Sequence, residues 1–318
     1  MNDVPARDVQ VKLEIERRER LSYEEFAESY LYPLKPVIVT DALRQWKAVG
    51  RWTPEFFKQE FGQMKFKMAD ALKSKASYKG DSGEVEFTMG TFIDRVLEST
   101  KENPAPYFRN RVLYDLFPSL KDDIQPLPEY FQPNWLPEHF LVKYVQEVLN
   151  RGAAIELYIG GTGAGFPVLH YDGAGTHAFL MQIYGRKEFI VYPPDQEAFL
   201  YPSSEKINLS SLNDLDCPDL EKFPLFAKAQ ATNFVLEPGE LLFIPSHWWH
   251  TTRMLTPCIS VSINVLNQSN WKELVTFVAK GRRNPVVSFG SRVYLHCAGA
   301  WRSYRDRDWR KKAQKVVV

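Results

Sequence analysis

The sequence predicts a mainly β core held between two helical regions. Three observations carry this. Short β-type runs cluster between residues 151 and 267, and Gly- or Pro-bearing turns (GGTGAG, YPP, EPGE) separate them. Helix start and stop signals dominate the flanks instead. The chain, at 318 residues, is long enough for one large domain with a sizeable core. The division expected is 1–150, a mostly helical region packed on the barrel; 151–267, the β core; and 268–318, a C-terminal helical region.

In the first region, Ser22-Tyr-Glu-Glu25 is a capping-box pattern, in which the Ser hydroxyl and the Glu carboxylate satisfy exposed backbone donors reciprocally. Thr53 is an N-cap with Pro54 at the first helical position and Gly62 as a stop. The β-branched stretch 35–43 (KPVIVTDAL) interrupts the helical reading with a short strand, and 99–106 (STKENPAP) reads as a loop.

The core runs are AIELYI (154–159), PVLHYD (167–172), EFIVY (188–192), ELLFI (240–244) and CISVSINVL (258–266), which together suggest a β-sandwich or barrel. In the last, Ile259, Val261, Ile263 and Val265 share one face, and Cys258, Ser260, Ser262 and Asn264 the other. A polar strand face inside a domain suggests a wet cavity, although a half-exposed strand has the same pattern. The strand-poor segment 201–224 is a long loop of the kind that often serves a site.

In the third region NWKELVTFVAKG reads as a helix capped by Asn270 and stopped by Gly281, and a second helix turns basic. From Arg302 to Lys315 seven Lys/Arg face two Asp; a solvated helix face is favoured over an RNA contact or a dimer surface. A net charge of +1 gives no whole-molecule attraction to nucleic acid or membrane. Three scattered cysteines (217, 258, 297), a charged N-terminus without an apolar run, and the lack of any apolar stretch near the ~18 residues of a membrane span lead us to expect a soluble, intracellular protein.

The chemistry begins at His170-Tyr-Asp172. On a strand the two outer residues project together, giving an imidazole and a carboxylate that can share a metal. PSHWWH (245–250) adds His250, which a barrel winding back can bring to the same point. Two His and one carboxylate on one face of the ion suit non-haem Fe(II). His247 is a rival ligand; His250 is preferred because it follows the Trp pair at the start of a presumed strand. Lys187, in GRKEFIVYPP, pairs with an anion if buried, or else keeps its head in solvent.

HYD, GRKEFIVYPPDQ, LYPSSE, FVLEPGELLFIPSHWWH and ISVSINV, in this order, together with the upstream RLSYEEFAESYLYPLKPVIVTDALRQWKAVGRWTPEFF, resemble the JmjC-type, cupin-like hydroxylases over roughly residues 14–270. The resemblance implies a double-stranded β-helix (jelly-roll) with flanking helices. It implies Fe(II) on His170, Asp172 and His250; 2-oxoglutarate as cosubstrate, its far carboxylate on Lys187 and Tyr107 and its metal-bound end near Asn264; and O2 as oxidant. It also implies a homodimer through the C-terminal helices.

Two positions depart from the family pattern. Pro167 stands where a Thr hydroxyl often contacts the cosubstrate. His177 falls beside the position of a common Asn; it either contacts substrate or caps a loop, and the loop is preferred. The activity expected is hydroxylation of a C–H bond, first on a protein side chain, second on tRNA (in view of the basic 302–315 run) or a small molecule. The rival class is a non-catalytic cupin-like binding module, with Pro167 as its best support.

Overall fold

The computed structural model describes residues 14–69, 84–136, 154–166, 168–212, 214–280 and 285–309. Twelve strands are found among them: β1 (Glu16–Arg18), β2 (Val37–Val39), β3 (Lys65–Ala69), β4 (Glu84–Thr88), β5 (Phe108–Val112), β6 (Glu156–Gly160), β7 (His177–Tyr184), β8 (Lys187–Tyr192), β9 (Thr232–Leu236), β10 (Leu241–Ile244), β11 (Trp249–Met254) and β12 (Cys258–Val265). Seven form one sheet in the order β1-β2-β10-β7-β12-β6-β5; three form a second, β11-β8-β9; β3 and β4 make a separate hairpin. The two larger sheets pack through one apolar cluster that joins Ala178, Leu242 and Ile244 of the first to Phe189, Val191 and Leu236 of the second. This is the double-stranded β-helix, with helices on its flanks.

Alternation along the strands decides what faces what. On β12, Ile259, Val261, Ile263 and Val265 are buried in the main core together with Phe179, Met181 and Ile183 of β7. The helical layer of the first 131 residues covers that face, led by Phe26, Trp52, Phe57 and Phe92, all fully buried. Each such side chain stabilises the fold by roughly 1.5–3 kcal/mol relative to exposure. The opposite face of the sheet, with Ser262 and Asn264, lines a cavity. Gly185 turns β7 into β8 at φ +73°, a conformation glycine adopts readily; a Cβ there would lie 1.8 Å from the Pro257 carbonyl oxygen.

Thr53 caps its helix as expected, its Oγ1 accepting from Phe56 N–H at 3.1 Å. At Ser22 only half of the capping box forms: Ser22 Oγ accepts from Glu25 N–H at 3.2 Å, while the Glu25 carboxylate pairs with Arg18 instead of returning to the Ser22 amide. After one α-turn the first helix widens into a π-turn over Ala27–Leu31. The first region also contributes β1, β2 and β5 to the seven-stranded sheet, so it supplies sheet as well as helix.

Two local readings need correction. Residues 168–172 do not make a regular strand: His170 forms isolated bridges to His250 and Leu209, and the chain turns at once through Gly173–Gly175, where Ala174 has φ +59°. Asn270 does not cap its helix through its side chain. Its Oδ1 accepts from Asn267 N–H, and its Nδ2 donates to Gly175 O and Val265 O, so the amide is spent on tying three loop segments together.

The helices Trp271–Lys280 and Pro285–Asp306 follow. They meet where Trp271 Nε1 donates to Leu295 O at 2.9 Å, and Trp135 stacks edge-on to Trp271. Of the basic run, Arg302 is buried, Arg305 pairs with Asp306 and Arg307 with Asp308. Residues 310–315 lie outside the described residues, as does Pro167. No described helix is long and apolar enough to cross a membrane.

Candidate metal centre

The structure brings His170, Asp172 and His250 together, with one ligand atom from each lying within 4.8 Å of the others. The backbone sets this up. His170 N–H donates to His250 O at 3.1 Å and His250 N–H to His170 O at 2.6 Å, a bridge that continues β11 alongside the 165–170 segment. Before it, Gly165 bridges Arg253, and Thr251 Oγ1 donates to Phe166 O at 2.9 Å. Asp172 follows two residues later, where the chain leaves the bridge for its tight turn.

The imidazoles are oriented by their own backbone. His170 Nδ1 lies 3.0 Å from Val168 O, and His250 Nδ1 lies 3.0 Å from Trp248 O. A carbonyl only accepts, so Nδ1 carries the proton in both rings and each Nε2 lone pair is left for an ion. A carbonyl partner of this kind fixes tautomer and ring plane in metal-ligating histidines. Burial and the neighbouring His250 hold His170 well below the ordinary histidine range, which keeps the ring neutral. Burial pushes the Asp172 carboxyl up, and His250 works against that shift. A divalent cation would restore the carboxylate. Phe166 stacks on the His170 ring at 4.1 Å and 23°, and the Arg109 guanidinium lies 4.7 Å from the Phe166 centroid.

The triad opens on a cavity of about 660 Å³. Lys187, Tyr107 and Asn264 line it too, so the three residues expected around a cosubstrate share the space of the triad. Lys187 is 1% exposed and donates to Ser260 Oγ; among the described residues no carboxylate pairs with it. Burial lowers its ammonium to about 8. Its Nζ lies 5.9 Å from the Tyr107 ring and 5.8 Å from the Tyr158 ring. Burial raises the Tyr107 phenol, which keeps it a neutral hydrogen-bonding group. A buried cation among neutral hydroxyls fits an anionic guest. An N,N,O donor set fits a ferrous ion with open positions.

His247, the rival ligand, points elsewhere: its Nε2 pairs with Glu273 at 3.0 Å, and its ring packs on Tyr171. His177 is fully buried at the start of β7, not on the cavity wall. Its Nδ1 accepts from Ser246 N–H at 3.0 Å, and its Nε2 lies 2.8 Å from Ser269 Oγ, so it ties two loops together. The long loop reaches the site through Asn208, which lines the cavity and hydrogen-bonds Tyr171 O at 3.1 Å. Sequence reasoning did not single out Asn208, Phe166, Tyr158 or Glu156. For the last two a signal existed: in AIELYI they alternate with the apolar residues and face the same side as Ser260 and Ser262.

Comparison with known proteins agrees with the architecture. The profile of the family described as "Cupin-like domain" matches residues 23–272. The chain is 30% identical over 248 residues to lysine-specific demethylase 8 of Xenopus tropicalis, covering 76% of this chain and 50% of that protein. It is 30% identical over 263 residues to lysine-specific demethylase JMJ30 of Arabidopsis thaliana (81% and 56%), and 28% identical over 260 residues to tRNA wybutosine-synthesizing protein 5 of Gallus gallus (77% and 73%). The chain thus spans about half the length of the two demethylases. With a two-histidine, one-aspartate cluster lining a cavity of a double-stranded β-helix, and a family profile matched over residues 23–272, this chain belongs to the cupin-like domain family of JmjC type.

Proposed function

We propose that this protein is an Fe(II)- and 2-oxoglutarate-dependent oxygenase that hydroxylates a C–H bond on a protein side chain. The observation that carries the reading is a buried lysine without a carboxylate partner among the described residues, in the same cavity as an N,N,O metal-ligand cluster. Fe(II) held by His170, Asp172 and His250 would, with 2-oxoglutarate and O2, supply the oxidising power, releasing succinate and CO2 as one oxygen atom enters the substrate.

The chain's own contributions are positional. The two Nδ1–H···O=C bonds hold the imidazole planes before any ion arrives. Lys187 and Tyr107 bind the far carboxylate of the cosubstrate, and Asn264 lies on the same wall for its metal-facing end. Asn208 and Tyr171, hydrogen-bonded to each other, line another side of the cavity. If the hydroxylated carbon is an N-methyl group, the product loses formaldehyde, so demethylation and stable hydroxylation use one chemistry. The protein side chain is favoured by relatives that are lysine-specific demethylases. The tRNA reading is second: the wybutosine-synthesizing relative is the one this chain covers most fully among the three compared. A reducing intracellular setting agrees with three free cysteines.

The test is turnover of 2-oxoglutarate to succinate by the purified chain with Fe(II) and ascorbate, compared with Asp172→Ala. Succinate from the native chain and none from the variant supports the proposal. No succinate and no Mn(II)-dependent binding of 2-oxoglutarate at saturation returns the chain to a non-catalytic binding module.

A further inference from the structure

The cavity wall carries a second carboxylate, besides that of Asp172, that none of the roles above uses. Glu156 and Tyr158 face the cavity from β6, while Leu157 and Ile159 of the same strand are buried in the core. Across the ladder, Ser262 pairs with Glu156 and Ser260 with Tyr158. Lys187 donates to Ser260, so the wall presents a cation at one row and an acid one pleat further on. The Tyr158 hydroxyl donates to Glu156 Oε2 at 2.5 Å, and no lysine or arginine of the described residues pairs with that carboxylate. Burial pushes the Glu156 carboxyl up, the hydrogen bond from Tyr158 opposes this, and the charge of Asp172 adds to it.

We propose that Glu156 determines substrate specificity by reading a positive charge, an ammonium or guanidinium group, on the side chain that enters the cavity. This rests on the oxygenase reading above. A carboxylate here is costly in two ways: it is partly desolvated, and it repels an anionic cosubstrate sharing the same space. A cationic substrate group offsets both, because it pairs with the acid oxygen that Tyr158 leaves open. A neutral side chain of the same shape leaves the acid without its counter-charge, which is the arrangement that rejects isosteres most strongly. Tyr158 acts as a positioning residue, since its hydroxyl fixes one carboxylate oxygen.

The experiment uses the full chain loaded with Mn(II) and 2-oxoglutarate, and the tripeptides Gly-Lys-Gly and Gly-Arg-Gly against their neutral counterparts with norleucine and citrulline. Calorimetric competition should show at least one cationic peptide binding about tenfold or more tighter than its neutral partner, the scale of a charge-assisted hydrogen bond. Glu156→Gln keeps an acceptor for Tyr158; it should erase the preference while 2-oxoglutarate still binds and the melting temperature holds. Equal binding within both pairs by the native chain, or a preference that survives in Glu156→Gln, overturns the proposal while leaving the oxygenase reading intact. Failure of the native chain to bind Mn(II) or 2-oxoglutarate overturns both.

Discussion

His170 and His250 exchange both of their backbone hydrogen bonds, at 3.1 and 2.6 Å, and their ring centroids stand 4.5 Å apart. Residues paired across an antiparallel bridge project to the same side of the sheet. The pairing of two distant segments is therefore also the pairing of the two proposed histidine ligands. Asp172 needs only one further alternation and a tight turn to join them.

From this follows an apo protein that is folded and ready. Mn(II) at a hundredfold excess over its dissociation constant should stabilise the native chain by about 2.7 kcal/mol, read as a rise in melting temperature. Asp172→Ala should lose that rise. Without metal the same variant should melt no lower than the native chain, because it removes a desolvated carboxyl. A large drop in the metal-free melting temperature would contradict the assignment of Asp172 to the ion.

Lys187 gives a pH signature. Burial lowers its folded pKa to about 8 from the ordinary 10.5. Between those values the unfolded chain binds more protons, so the Lys187 contribution to apo stability rises as pH rises through that window. A bound dicarboxylate favours the charged ammonium, so 2-oxoglutarate should bind most tightly below about pH 8 and weaken above it. Lys187→Met should cost tenfold or more in cosubstrate affinity, flatten this profile, and leave apo stability equal or higher. Thermal shift with and without 2-oxoglutarate across pH 7 to 10 checks all three.

His177 should dominate part of the acid limb. Burial lowers its pKa to about 3 from 6.5, and its Nδ1 must stay unprotonated to accept from Ser246. Its neutral form is preserved above 6.5, and stability is lost as pH falls from there toward 3. His177→Leu should be less stable at pH 7, by about 1–3 kcal/mol for the Ser246 amide left without its acceptor and for altered packing, yet show a shallower fall between pH 6.5 and 4. Urea unfolding at a series of pH values measures the slope.

Gly299 tests the C-terminal helix pair. A Cβ there would lie 2.2 Å from Trp271 Nε1, the atom that donates to Leu295 O. Gly299→Ala should destabilise the protein by about 1–3 kcal/mol, the cost of overpacking a core, although alanine has the better helix propensity. Ala298→Gly, at a half-buried neighbour on the same helix, should lose only the ~1 kcal/mol of helix propensity.

Of the core strands, the runs at 154–159, 188–192, 240–244 and 258–266 correspond to β6, β8, β10 and β12. β7 and β9 were not legible as strands, since HAFLMQIY is a nearly unbroken apolar run that periodicity cannot tell from a buried helix and TNFVL is too short to stand out. Nor were β1 and β5, since three residues (ERR) or a charged FRNRV carry no apolar alternation; they are strands because a neighbouring strand offers them a ladder. The 168–172 segment failed in the other direction. Its residues suit a strand, but the turn at Gly173–Gly175 follows so closely that only His170 forms bridges, to His250 and Leu209. The triad was readable as residue types and order, whereas its tautomers depend on carbonyls that no pattern reveals. His247 and His250, three apart in one motif, are separated only by the backbone: His247 sits at φ +64° in the turn and swings to Glu273, while His250 lies in the strand.

A ligand set assembled by the backbone also sets a problem of supply. The three donors are held whether or not an ion is present, so little of the binding free energy goes to folding, and the site is open to any divalent ion of suitable size. Copper and zinc bind nitrogen and oxygen donors more tightly than iron does. Occupancy is then decided by which metal the surroundings make abundant, not by what the cage prefers, and a zinc-replete preparation should be full and inert.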